Sequence, residues 1–149
     1  MTGELRTAHA DADQSPGLML WRVTNAWQAA QRATLAPFDL THVQFVLLAS
    51  LAWLRADGPV TQRDLATHAR TDPMMTSQVL RTLEAKGLVE RRPHPTDARA
   101  RALTVTARGA ALADDANAAV EATDHRFFGV LGDREPLLTG MLRDLARPA

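Results

Sequence analysis

The sequence predicts a mainly helical domain with one small two-stranded β ribbon, and three observations carry that prediction. Apolar residues recur at spacings of three and four over most of the 149-residue chain. Thr41, Thr61, Asp72 and Thr106 each stand where an N-cap belongs, just before a helical pattern begins. Only two short runs, 88–92 and 101–106, are strand-like, and a Pro-rich bend separates them. A chain of this length suits one domain with a real core, here placed over 17–149.

Each element follows from local chemistry. Residues 1–16, MTGELRTAHADADQSP, are polar and read as a flexible arm without the apolar stretch of a secretory leader. A first helix is expected from about Leu18 to Leu35, with Leu20, Val23, Trp27, Ala30 and Thr34 on one stripe, ending at Pro37. Thr41 with Gln44 makes a capping box, and Leu40 with Phe45 a hydrophobic staple. The helix they start runs to about Ala56 and is apolar nearly all round, so it is expected at the centre. Thr61 caps a short helix, QRDLATHA, that turns Leu65 and Ala69 inward. Asp72-Pro73 opens the next, PMMTSQVLRTLEAK, and Gly87 supplies its left-handed end. Thr76, Val79, Leu80 and Leu83 face inward; Met74, Ser77, Gln78, Arg81 and Thr82 face outward, with Met75 between. In the ribbon, Leu103 and Val105 alternate with Ala102 and Thr104, while Pro93 and Pro95 confine it to the surface. An alanine-rich helix follows over about 107–131, and Asp133 is expected to cap a last one carrying Leu138, Met141, Leu142 and Leu145.

Composition narrows the function classes. The chain is 46% hydrophobic and 23% charged, values of a folded globule. It has no cysteine, which excludes disulfides, thiolate metal sites and thiol redox sensing. The longest apolar run, 43–54, is too short to span a membrane, so a cytoplasmic protein is expected. His9, His42, His68, His94 and His125 are scattered without ligand spacing, so neither metal nor cofactor is implied. No nucleophile triad or phosphate loop occurs, which leaves an enzyme as the poorest reading. Seventeen Lys+Arg balance seventeen Asp+Glu, yet Val60 to Arg108 holds nine basic and five acidic residues, an excess of +4. A basic middle between acidic flanks suggests a local anionic partner.

Helix 61–69, a turn, helix 73–86 and a ribbon make a helix-turn-helix followed by a wing. Such a unit offers one helix to the DNA major groove and a wing tip to the adjacent minor groove. Ser77, Gln78 and Arg81 carry donors and acceptors suited to base edges, and Met74 and Met75 either touch thymine methyls or pack inside. Taken singly, a polar helix face or an Arg-rich hairpin is ordinary wet surface. Their order and spacing within 61–106 is what points to double-stranded DNA.

At this point the chain resembles the MarR family of bacterial transcription regulators, from about Leu18 to Leu145. The likeness is carried by LAPFDLTHVQFVLLASL (35–51), TSQVLRTLEAKGLVERRP (76–93) and PTDARARALTVTARG (95–109). The last holds an Asp-x-Arg wing triplet at Asp97 and Arg99 and a Thr-x-x-Gly helix entry at Thr106 and Gly109. The resemblance implies a homodimer interlocked through helices at about 17–36 and 107–147, with the winged unit at about 40–106. It implies that Asp97 braces the wing turn and orients Arg99, that Arg99 enters the minor groove, and that Arg101 supports it or touches phosphate. It also implies release from DNA by a small aromatic or phenolic anion, bound by the first two helices and the start of the fifth. Trp21, Trp27, His42 and Trp53 are the candidates for that pocket; equally, the tryptophans fill core or interface and His42 steadies a helix start. A repressor controlled by a small molecule leads these readings. A constitutive or architectural DNA binder and a protein-interaction module remain open beside it.

Overall fold

A computed structural model describes residues 5–147. Its order is α1 (Pro16–Leu35), α2 (His42–Leu54), α3 (Gln62–Ala69), α4 (Pro73–Ala85), β1 (Val89–Pro93), β2 (Arg101–Val105), α5 (Ala107–Phe128) and α6 (Glu135–Leu145). The mainly helical fold with one antiparallel ribbon is as expected. Val89 pairs with Val105 and Pro93 with Arg101, so the ribbon opens away from the body. No single described helix is long and apolar enough to cross a membrane.

Helix α2 is the centre. It packs against α1, α3, α4, α5 and β2, which is why no face of it is polar. Leu47, Leu48 and Leu51 are fully buried there, joined by Leu65 of α3 and by Leu80 and Leu83 of α4. Leu40 and Phe45, the staple pair, belong to the same cluster. The helix starts rest on the expected caps. Thr41 accepts from the Gln44 N–H, Thr61 from Asp64, Asp72 from Met75 and Thr106 from Gly109. Gly87 has φ of +74°, the left-handed end expected after α4.

Several expectations need correction. Helix α1 begins at Pro16, capped by Ser15, earlier than Leu18. Of the arm proposed over 1–16, residues 1–4 lie outside the described residues, while Ala12–Gln14 form one 3-10 turn. Leu20 and Val23 of the α1 stripe are exposed; the buried residues of α1 are Gln31 and Leu35, because its first half runs beyond the chain's own core. Helix α2 ends at Leu54 and continues as a 3-10 turn, Arg55–Asp57. Alternation in β2 fails at Ala102, which is buried together with Leu103. Val60 is the reason for part of this: its carbonyl accepts the Leu103 N–H at 2.7 Å, adding a bridge on the far side of β2. Asp133 caps nothing. A 3-10 segment, Gly129–Arg134, kinked at Gly132 with φ of 54°, leads directly into α6, whose N-cap position is Arg134.

Candidate nucleic-acid interface and neighbouring cleft

Helices α3 and α4 meet at a tight turn in which Arg70 adopts φ of 54°, and Asp72 then starts α4 through its bond to Met75. Thr76, Leu80 and Leu83 seat α4 on the core. Outward-facing Met74, Met75, Gln78 and Arg81 are exposed and Ser77 is half-buried. Met74 is 76% and Met75 41% exposed, so neither fills the core. An open groove of about 570 Å³ lies between the two helices, lined by Gln62, Arg63, Thr67 and Thr71 among others.

The basic residues of this region fall into two sets. Arg91 is tied down: its Nε meets Glu84 Oε1 at 2.6 Å and its guanidinium donates to Gln62 Oε1 at 3.0 Å, bracing α3 and α4 from the ribbon. Arg92 pairs with Glu90, and Arg108 donates to the Lys86 carbonyl. Lys86 in turn donates to the Asp39 carbonyl at 2.5 Å and to Gln44 Oε1 at 3.2 Å. The Arg70 guanidinium donates to the Ala146 carbonyl at the end of α6. By contrast, among the described residues the exposed side chains of Arg63, Arg81, Arg99 and Arg101 have no hydrogen-bond or salt-bridge partner. Four guanidiniums on α3, α4 and the wing are thus left to meet an outside anion. Arg63 joins the three arginines named from the sequence, and no local pattern in α3 distinguishes it from an ordinary solvated charge.

At the wing tip the bend is built by short bonds. His94 Nδ1 accepts the N–H groups of Thr96 and Asp97, and Asp97 Oδ1 accepts the Arg99 N–H at 3.0 Å. Asp97 thus holds the backbone of Arg99 and leaves its guanidinium to solvent. On the other side, Thr106 Oγ1 donates to the Gly87 carbonyl at 2.7 Å and accepts from Gly109, joining the start of α5 to the end of α4.

A second concavity, about 450 Å³, is lined by Trp27, Gln28, Arg32, Thr41, His42, Val43, Val46 and Thr71. Trp27 and His42 meet edge to face with ring centroids 4.9 Å apart. The Trp27 indole N–H donates to Asp124 Oδ1 at 2.7 Å, an oxygen that also accepts from the buried Gln31. Burial lowers the pKa of His42 below its ordinary value; the Asp124 carboxylate opposes that shift and the Arg32 guanidinium adds to it. Two of the four proposed pocket residues therefore come together. Trp21 and Trp53 do not: they are 67% and 77% exposed and line no part of this cleft. The start of α5 is absent from it too, since that end docks beneath the wing; the part of α5 beside Trp27 is near Asp124. Among the described residues, no group of three His, Cys, Asp or Glu side chains is placed to hold a metal.

Comparison with known proteins decides the family. The sequence model of the MarR family matches residues 40–100. The HTH-type transcriptional regulator YdcH of Bacillus subtilis is 42% identical over 139 residues, 93% of this chain and 95% of the relative. The chain belongs to the MarR family. It is a helix-turn-helix transcriptional regulator, and not an enzyme. Another relative, a protein of Mycobacterium tuberculosis named HTH-type transcriptional repressor, is 39% identical over 121 residues, 80% of this chain and 85% of its own. Among solved structures, CouR of Rhodococcus jostii bound to p-coumaroyl-CoA superposes with a TM-score of 0.85 at 27% identity, covering 95% of this chain and 98% of that one. CouR bound to a 23-mer DNA duplex gives 0.83 at 28%, covering 97% and 100%.

Proposed function

We propose that this chain is a repressor that binds a pseudo-palindromic operator as a homodimer and leaves it when a small aromatic or phenolic anion enters the cleft beside Trp27 and His42. The observation that carries the DNA reading is the set of free guanidiniums, Arg63, Arg81, Arg99 and Arg101, on a unit whose remaining basic residues are bonded internally. Unpaired arginines on a helix-turn-helix and wing are the groups that bind phosphate and enter grooves. Ser77, Gln78 and Arg81 read base edges from α4, and Met74 and Met75, exposed at its start, meet thymine methyls. Arg99 enters the minor groove from a bend held by Asp97, with Arg101 beside it. The two winged units sit one helical turn (~34 Å) apart on the duplex. The protein acts in the cytoplasm with its DNA.

Two observations support the rest. Leu20, Trp21, Val23, Leu137, Met141, Leu142 and Leu145 are all exposed on α1 and α6, an apolar surface that a second copy covers. In the cleft, Arg32 and the aromatic pair Trp27 and His42 offer a cation and ring faces to a planar anion. The test is anisotropy titration with DNA from upstream of the protein's own coding region. Arg99→Ala is expected to weaken binding about tenfold on every sequence, whereas Gln78→Ala alters preference at particular base pairs by about 1–3 kcal/mol. Parent-like curves for both variants overturn the assignment.

A further inference from the structure

The cleft and the recognition helix share one side chain. Thr71 lines the cleft on one side and the groove between α3 and α4 on the other. Its hydroxyl lies 2.6 Å from that of Thr76, which is fully buried on the inner face of α4. Proton accounting gives the direction of this bond. Thr76 Oγ1 donates its one proton to the Asp72 carbonyl at 2.8 Å, so it has none left for Thr71. Thr71 is the donor and Thr76 the acceptor. Two bonds in series thereby tie the turn to the start of α4, the end that carries Met74, Ser77 and Gln78.

An anionic oxygen in the cleft needs donors, and the walls supply the Arg32 guanidinium, the Gln28 amide and the hydroxyls of Thr41 and Thr71. A hydroxyl bonded to a carboxylate is shorter and roughly twice as strong as one bonded to another hydroxyl. We infer that Thr71 is the residue through which the cleft controls the recognition helix: a ligand carboxylate takes the Thr71 hydroxyl away from Thr76 and so releases the start of α4 from the turn. Thr76 keeps its bond to Asp72 but loses its donor. The first turn of α4 then leaves the position in which it reads DNA. This rests on the ligand reading above and adds the residue that transmits it. A neutral ligand of the same shape binds without this effect, because it has no charge with which to compete for the proton.

The experiment uses benzoate as the probe and benzamide as its neutral counterpart, with binding followed by calorimetry and DNA affinity by anisotropy on the same upstream duplex. Benzoate is expected to lower the parent's DNA affinity about fivefold or more, and benzamide to leave it within about twofold. Thr71→Val is expected to bind DNA as weakly as the benzoate-saturated parent, to take up benzoate still, and to respond no further. Thr71→Ser, which keeps the hydroxyl, behaves as the parent. If benzoate binds and releases DNA equally in the parent and in Thr71→Val, the role of Thr71 is overturned and the ligand reading stands. If benzoate does not bind the parent, both fall. Should Thr71→Val fail to fold, hydrogen exchange on the parent decides: amides of residues 75–77 must exchange faster with benzoate than with benzamide, and equal rates overturn the inference.

Discussion

Gly109 leaves no room for a side chain, because the backbone of Leu88, in the link between α4 and β1, lies directly on it. A Cβ at this position runs into the Leu88 carbonyl, which already accepts the Thr106 N–H at 3.0 Å. Backbone cannot step aside as a flexible side chain does, so Gly109→Ala is expected to cost about 2–3 kcal/mol, read as a lower urea midpoint. His42 gives a second residue-scale expectation. Its folded pKa lies below the unfolded value of about 6.5, so between the two the unfolded chain binds more protons. Stability from this group is complete above about pH 6.5 and falls as pH drops toward the folded pKa. His42→Gln should flatten that part of the stability profile, and an unchanged acid limb contradicts the lowered pKa of the half-buried imidazole. The wing arginines also part company at this scale. Arg91 and Arg92 are bonded to Glu84, Gln62 and Glu90, while Arg99 and Arg101 remain free.

At the scale of elements, α4 is gripped at both ends. Thr71 and Asp72 hold its start, and Lys86 bonds its end to Asp39 and Gln44 at the start of α2. Gln44 is also the capping-box partner of Thr41, so the wall of the cleft and the end of α4 share an amide oxygen. Arg91 adds a third restraint from β1. Its bond to Glu84 is partly solvated, so Arg91→Ala is expected to cost only about 1 kcal/mol of stability in urea unfolding, while the loosened α3–α4 pair binds DNA more weakly. A loss of DNA affinity as large as that of Arg99→Ala instead places Arg91 on the DNA. Element starts at Thr41, Thr61, Asp72 and Thr106 were legible because a cap and its N–H lie three residues apart. Asp133 misled for the same reason: the local pattern is right, but the 3-10 segment at Gly129–Arg134 removes the helix start it was to serve.

For the whole molecule, the unsatisfied surface is the informative feature. Helix α6 buries none of its residues, although Leu142 and Phe128 share with Met19, Leu20, Val23 and Trp27 an apolar groove of about 390 Å³. An amphipathic helix with nothing on its apolar face gains little from folding alone. Leu142→Asp places a charge on that face, and sedimentation should show the parent as a dimer and the variant as monomer or unfolded chain. A parent that sediments as a monomer removes the two-fold operator geometry as well.

The sequence by itself determined most of the elements, the caps at Thr41, Thr61, Asp72 and Thr106, the central place of α2, and the winged unit with its outward residues Met74, Ser77, Gln78 and Arg81. These depend on periodicity and on contacts within one turn, which a chain states locally. Tertiary structure alone decided which arginines are free, that Trp27 and His42 meet while Trp21 and Trp53 do not, and that Val60 borders β2. It also decided that Asp124, some 80 residues along the chain from His42, sets part of the cleft's electrostatics. Such pairings join residues far apart in the chain, and no local pattern encodes the distance between them.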